Sequence, residues 1–215
     1  MFVKFWMHTE VITVQPEDTI REACSLMEGH RIRRIPVIDS ERRLLGIISK
    51  EDIKKALPSV VDASLDDTTR ALANQVKVAA FMTRTPITVQ PTDTLEKIAT
   101  LMLKNKIGGI PVIENDLLTG IITESDIFRA FTQILGSDNK DIRIELCLSR
   151  DNSALYNMFE LLNAYDAQIN NIAICNNHSH QTRSITLRIT SNQSQAIVDE
   201  LWKMGCKISS IITDN

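Results

Sequence analysis

Two short segments place a hydroxyl three residues ahead of a carboxylate: Ser49-Lys50-Glu51-Asp52 and Thr123-Glu124-Ser125-Asp126. Where such a segment opens a helix, the free N–H groups of the first turn and the helix dipole favour an anion beside the hydroxyl. The same residues can equally form a capping box, in which hydroxyl and carboxylate satisfy backbone donors with no ligand present. Arg31, Arg33 and Arg34 cluster just before Ile35-Pro36. Their forked guanidinium donors can pair several phosphate oxygens, although most runs of charge are solvated faces. At the matching place ahead of the second segment stand Lys106, Gly108 and Gly109, and the two glycines offer close backbone approach and no charge. His178 and His180 share a polar turn with no third ligand nearby in sequence, so no metal site is expected there. No nucleophile motif, Walker loop, HExxH or GxGxxG fingerprint is present.

The elements that position these residues belong to an internal repeat. Ile12-Thr13-Val14-Gln15-Pro16 returns as Ile87-Thr88-Val89-Gln90-Pro91, and Asp18-Thr19 returns as Asp93-Thr94. Further along, Leu26-Met27 matches Leu101-Met102, Ile35-Pro36-Val37-Ile38 matches Ile110-Pro111-Val112-Ile113, and Gly46-Ile47-Ile48 matches Gly120-Ile121-Ile122. One residue of slippage near Arg42 keeps the register. Within each copy the periods predict strand, helix, strand, strand, helix. Ile20, Ala23, Cys24 and Met27 line one helical face, as do Leu95, Ile98, Ala99 and Met102. The runs around Val37, Ile47, Ile113 and Ile121 are short and β-branched, hence strands. Thr19 with Glu22 is placed to form a capping box ahead of the first helix. One copy alone has too little core, so the two are expected to pack together.

Both copies resemble CBS domains, and the tandem resembles a CBS pair, on the strength of the IPVI strands and the two Gly-Ile-Ile segments that run into Asp52 and Asp126. The resemblance covers about residues 1–134. It implies that an adenine nucleotide is bound, the carboxylates of Asp52 and Asp126 accepting ribose hydroxyls while Ser49 and Thr123 face phosphate. It likewise implies that Thr13, Arg33, Arg34, Pro36, Thr88 and Pro111 line the two clefts, with the arginines supplying the phosphate preference of one of them. The stretch from Leu57-Pro58-Ser59 to Val76-Lys77-Val78 is similar to the inter-repeat linker of acetoin-utilisation (AcuB-like) proteins. The organisation expected is a first repeat over 1–57, a linker over 58–77, a second repeat over 78–134 and a further domain over 140–215.

That further domain starts at about Asp141, and all six prolines precede it. Ile142, Ile144, Leu146 and Leu148 alternate as a strand, and Leu155, Met158, Phe159 and Leu162 take helical spacing. A strand near Ile169–Cys175, a polar turn, an alternating strand at Ile185, Leu187 and Ile189, a helix through Ile197, Leu201 and Met204 stopped by Gly205, and a strand near Ile208–Ile212 complete a βαββαβ ferredoxin-like order. Following CBS repeats, this order resembles an ACT domain. The ACT signature places a Pro-Gly pair before the first helix, where this chain has Asn152-Ser153, so a structural or dimerising role is expected rather than amino-acid binding. The fold class expected is therefore α+β.

With 215 residues, 43% apolar residues and a formal net charge of -3, the chain can bury two cores and carries no global basic field. Neither nucleic acid nor membrane is an expected partner. Cys24, Cys147, Cys175 and Cys206 form no CxxC pair, and buried free thiols in a reducing cytoplasm are expected. The N-terminal apolar run is too short for a signal peptide, and no stretch approaches about 18 uncharged apolar residues. Together with the resemblance to a CBS pair and an ACT-like domain, which implies a homodimer and a regulatory role, these features lead to the expectation of a cytoplasmic, homodimeric, non-catalytic regulator with no cofactor, acting on an unknown regulated protein. An enzyme with an unrecognised site between the repeats and the last domain, and a scaffold that only dimerises, stand as alternatives.

Overall fold

The computed structural model describes residues 1–56, 75–136, 141–176 and 182–213. They divide into two compact units, Met1–Phe128 and Arg129–Asn215. His178 and His180, and all of the expected linker before Gln75, lie outside the described residues.

In the first unit each repeat contributes a helix, a two-stranded antiparallel hairpin and a second helix. The first repeat forms α1 (Ile20–Gly29), β1 (Arg34–Ile38), β2 (Leu44–Ser49) and α2 (Lys50–Ala56). The second forms α3 (Leu95–Asn105), β3 (Gly109–Glu114), β4 (Leu117–Thr123) and α4 (Glu124–Ile134), the last of which continues past Phe128, where the first unit ends. Thr19 caps α1 in a complete box with Glu22, and the Thr19 N–H holds the Glu22 carboxyl below the usual carboxylate range. In the second copy Thr94 accepts from the Lys97 N–H, and no acid stands at that position to close the box. The one-residue slippage falls in the hairpin turns. Asn115 and Asp116 both have positive φ, as a tight two-residue turn between β3 and β4 requires. Between β1 and β2, Asp39–Arg43 make a longer turn in which Asp39 accepts from the Arg43 N–H and guanidinium.

The strand expected at Ile12–Val14 is reduced to a single bridging residue, and so is its counterpart. Val14 bridges Val37 in parallel, and Val89 bridges Val112. The ladder stops there because Pro16 and Pro91, two residues on, lack an N–H and turn the chain into the helix.

The segments ahead of these bridges cross between the repeats. Val3 and Lys4 N–H groups donate to Asp93 and Pro91 carbonyls of the second repeat, while Val78 and Ala79 donate to Asp18 and Pro16 of the first. Val78 is fully buried in the first repeat's core with Ile20, Ile35 and Ile48. Further along, His8 bridges Ile121 on β4, and Thr83 bridges Ile47 on β2. Gly120 and Gly46 make the crossings possible. A Cβ on Gly120 would stand 2.7 Å from Met7 Sδ, and one on Gly46 would stand 2.7 Å from the Thr83 carbonyl oxygen. Each repeat thus takes in a short leading segment of the other, a single helical turn followed by one bridging residue.

The second unit runs β5 (Ile142–Ser149), α5 (Asn152–Ala164), β6 (Gln168–Asn176), β7 (Thr182–Thr190), α6 (Ser194–Lys203) and β8 (Lys207–Thr213). Its sheet is antiparallel in the order β6-β7-β5-β8. Alternation places Ile144, Leu146 and Leu148 of β5 and Ile185, Leu187 and Ile189 of β7 on one face. All are buried against Met158 and Leu162 of α5 and Ile197 and Leu201 of α6. Gly205, at φ +81°, ends the last helix where a side chain would be strained.

All four cysteines are free thiols, but only Cys206 is buried; Cys24 and Cys147 are half-buried and Cys175 is exposed. The expectation of uniformly buried thiols fails because Cys175 sits near the end of β6, an edge strand. Burial pushes the Cys206 thiol above the ordinary range. In the native protein at neutral pH, Ellman's reagent is therefore expected to titrate Cys175 first and Cys206 only on unfolding, because thiolate character and access together set reactivity. Equal rates for the two thiols would contradict this.

Candidate functional site

The two hydroxyl–carboxylate segments lie at matching places, each spanning the end of a central hairpin strand and the first turn of the helix that follows. In the first, Ser49 N–H and Oγ–H donate to Asp52 Oδ2 at 3.0 and 2.6 Å, and Asp52 N–H donates back to Ser49 Oγ at 3.2 Å. In the second, Thr123 N–H and Oγ1–H donate to Asp126 Oδ2 at 2.9 and 2.7 Å. These residues thus cap their helices, and the cap occupies one carboxylate oxygen of each pair. The other oxygen, Oδ1, differs between the repeats. Asp52 is 21% exposed in its side chain, and among the described residues Oδ1 meets a cation only at the exposed Lys55 Nζ, 3.8 Å away. Asp126 is 1% exposed, and its Oδ1 lies 3.0 Å from His8 Nε2.

The hairpins gather the other expected residues around these two aspartates. Ser49 pairs with Arg34 across β1 and β2, and Thr123 pairs with Gly109 across β3 and β4. Val14 N–H donates to the Pro36 carbonyl and Val89 N–H to the Pro111 carbonyl, which sets Thr13 and Thr88 beside the same hairpins. Pro36 and Pro111 are buried, Thr13 is half-buried and Thr88 is exposed. Each repeat therefore sets its proline and hydroxyl in one small sheet, with its threonine beside that sheet and its carboxylate in the first turn of the helix that follows.

The arginines behave unequally. Arg33 is exposed, and its carbonyl accepts from the Lys50 N–H. Arg34 is half-buried and lies against the backbone of Gly108 and Gly109 in the other repeat. A Cβ on Gly109 would stand 2.7 Å from Arg34 Cδ, and one on Gly108 would stand 2.9 Å from Arg34 Nη1 and 2.7 Å from Glu124 Oε2. The arginine of one copy packs against the glycine of the other, since a side chain at Gly109 would make Arg34 shift. Arg31 is exposed at φ +55°, just past the His30 C-cap of α1.

His8 is a site residue that the sequence reading missed. The signal was present in the repeat register, which sets Met7-His8 against Met82-Thr83. That pairing gains meaning only once the crossing of the leading segments brings His8 to the opposite repeat. Among the described residues, no group of three or more His, Cys, Asp or Glu side chains could hold a metal ion, and no helix is long and apolar enough to cross a membrane.

The CBS domain family model matches residues 3–59 and 78–133, and the chain belongs to that family. Similar solved structures include the CBS domain pair of protein MJ0100 in complex with 5′-methylthioadenosine and S-adenosyl-L-methionine. It is 29% identical with a TM-score of 0.52, covering 62% of this chain and 97% of that one. CBSX2 in complex with AMP is 28% identical with a TM-score of 0.53, covering 62% and 97%. An acetoin utilization protein (AcuB) from Vibrio cholerae is 31% identical with a TM-score of 0.54, covering 63% and 93%. The chain spans only 44%, 32% and 23% of the length of three longer curated relatives that it matches. Tandem CBS repeats, with neighbours that hold adenosyl ligands, support a regulatory nucleotide-binding role for this class of protein.

Proposed function

We propose that this protein is a non-catalytic sensor that binds an adenine nucleotide at Asp52, and at Asp126 when His8 yields, with its C-terminal unit serving as an ACT-like structural or dimerising domain. The observation that carries the reading is the division of labour within each aspartate. Oδ2 caps the helix while Oδ1 remains directed elsewhere, so one carboxylate can hold its helix and accept a ribose hydroxyl together. A charge-assisted hydrogen bond of this kind contributes roughly 1.5 to 3 kcal/mol. Support for the ACT-like reading comes from the βαββαβ order and the strand order β6-β7-β5-β8. At the start of α5, Asp151 accepts from the Ser153 N–H at 3.2 Å in place of a Pro-Gly turn, which favours a structural role over amino-acid capture. Exposed Leu103 and Phe128 give the first unit apolar surface for the homodimer that belongs to this reading.

The scaffold reading draws on one observation, that the caps at Asp52 and Asp126 need no ligand. A thermal-shift panel of AMP, ADP, ATP, S-adenosylmethionine, NAD and amino acids separates the two. The sensor reading expects stabilisation by one or more adenine compounds, and a flat response to all of them would favour the scaffold. Calorimetry then tests the arginines: Arg33→Ala with Arg34→Ala is expected to weaken AMP far more than adenosine and to reduce the salt dependence of binding. Equal weakening of both ligands would point to lost packing at Gly109 instead.

A further inference from the structure

We infer that His8 sets the order in which the two nucleotide sites fill, by holding the Asp126 oxygen that a ribose would need. This rests on the nucleotide reading above and adds to it a residue that makes the sites unequal. Asp126 is the more deeply buried of the two carboxylates. A carboxylate so enclosed is costly unless each oxygen finds a donor. Thr123 supplies donors to Oδ2, and His8 Nε2 stands 3.0 Å from Oδ1, within ion-pair reach. His8 reaches that place because its backbone is fixed on β4: its N–H donates to the Ile121 carbonyl at 2.9 Å, and its own carbonyl accepts from the Ile121 N–H at 2.9 Å. The imidazole itself is 56% exposed, so it can swing into water without disturbing that bridge.

In the first repeat the equivalent crossing residue is Thr83, which bridges Ile47 on β2 and carries no cationic or imidazole group to engage Asp52. Asp52 is correspondingly more open to water. Among the described residues, a ribose arriving at Asp52 displaces solvent and a distant lysine. A ribose arriving at Asp126 must first displace His8, then replace its donor with a hydroxyl. The Asp52 site is therefore the tighter one and fills first. His8 acts through Asp126 and is a positioning residue for it.

The test uses the full chain carrying Asp52→Asn, which removes the charged acceptor of the first site while leaving an oxygen for the helix cap. AMP binding is measured by calorimetry with His8 intact, with His8→Thr, which copies the other repeat, and with His8→Gln, which keeps a side-chain N–H donor. His8→Thr is expected to tighten AMP about tenfold, the equivalent of one charge-assisted hydrogen bond no longer competed for, and His8→Gln is expected to stay near the His8 value. In the otherwise unmutated protein the His8 imidazole NMR signal, identified by its loss in His8→Thr, should move only after the first equivalent of AMP. Unchanged or weaker binding in His8→Thr, or a His8 signal that moves with the first equivalent, would overturn the inference while leaving nucleotide binding intact. No AMP binding by the unmutated chain would instead remove the nucleotide reading itself, and this inference with it.

Discussion

Replacing Asp52 and Asp126 together with alanine is expected to abolish the rise in melting temperature that an adenine nucleotide produces. At about 100 times Kd a ligand stabilises its protein by roughly 2.7 kcal/mol, so the lost shift is large enough to read directly. The alanine variants lose two things at once, because Asp52 Oδ2 and Asp126 Oδ2 also accept from Ser49 and Thr123. Removing a cap costs about 1 kcal/mol each, so the unliganded protein should melt somewhat lower as well. Asp52→Asn with Asp126→Asn separates the effects: the amide oxygen can still cap, while the charged acceptor is gone. The expected outcome is near-normal melting of the unliganded asparagine variant with most of the nucleotide shift lost. An undiminished shift in either double variant would refute the assignment of these aspartates to the ligand, and loss of folding in the asparagine variant would mark them as structural.

The largest effect on stability is expected at the buried pair in the second unit. Asp141 precedes β5, and Arg188 stands on β7 opposite Arg143. Arg188 Nε and Nη2 both donate to Asp141 Oδ1 at 2.7 Å, and Asn170 Nδ2 donates to Oδ2 at 3.1 Å. The side chains are 7% and 0% exposed, so neither charge can turn to water when its partner is removed. Asp141→Ala or Arg188→Ala is expected to cost about 3 to 5 kcal/mol, whereas replacing both with apolar residues of similar volume should cost much less than the sum. Urea unfolding of the single and double variants of the full chain measures this, followed by a probe in the second unit such as Trp202. Additive single costs would show that the pair is not acting as a unit.

Much of the organisation was legible in the residues alone. The repeat fixed the positions of four helices and two hairpins in the first unit, because apolar spacing of 3.6 and 2 residues follows directly from helix and strand geometry. It also placed Ser49, Asp52, Thr123 and Asp126 at equivalent helix starts, since the segment carries its own local capping chemistry. The alternation in β5 and β7 and the helical stripes in α5 and α6 gave the βαββαβ order for the same reason. The first strands of the repeats are shorter than their sequence predicts, because a β-branched Ile-Thr-Val run looks extended whether or not it has ladder partners on both sides.

What the tertiary structure decided is the traffic between the repeats. Local periodicity cannot reveal that the Met7-His8 segment pairs with β4 while Met82-Thr83 pairs with β2, as these contacts join residues far apart in the chain. Nor could it show that Gly109 leaves room for Arg34, because a glycine in sequence is silent about the side chain that occupies its missing Cβ. Composition marked Asp141 and Arg188 only as charges, and burial made them partners. The sequence by itself determined where each carboxylate sits on its own helix; only the packing of one repeat on the other decided that, among the described residues, Asp126 meets a histidine and Asp52 does not, since the energy of a buried charge depends on neighbours that local sequence does not name.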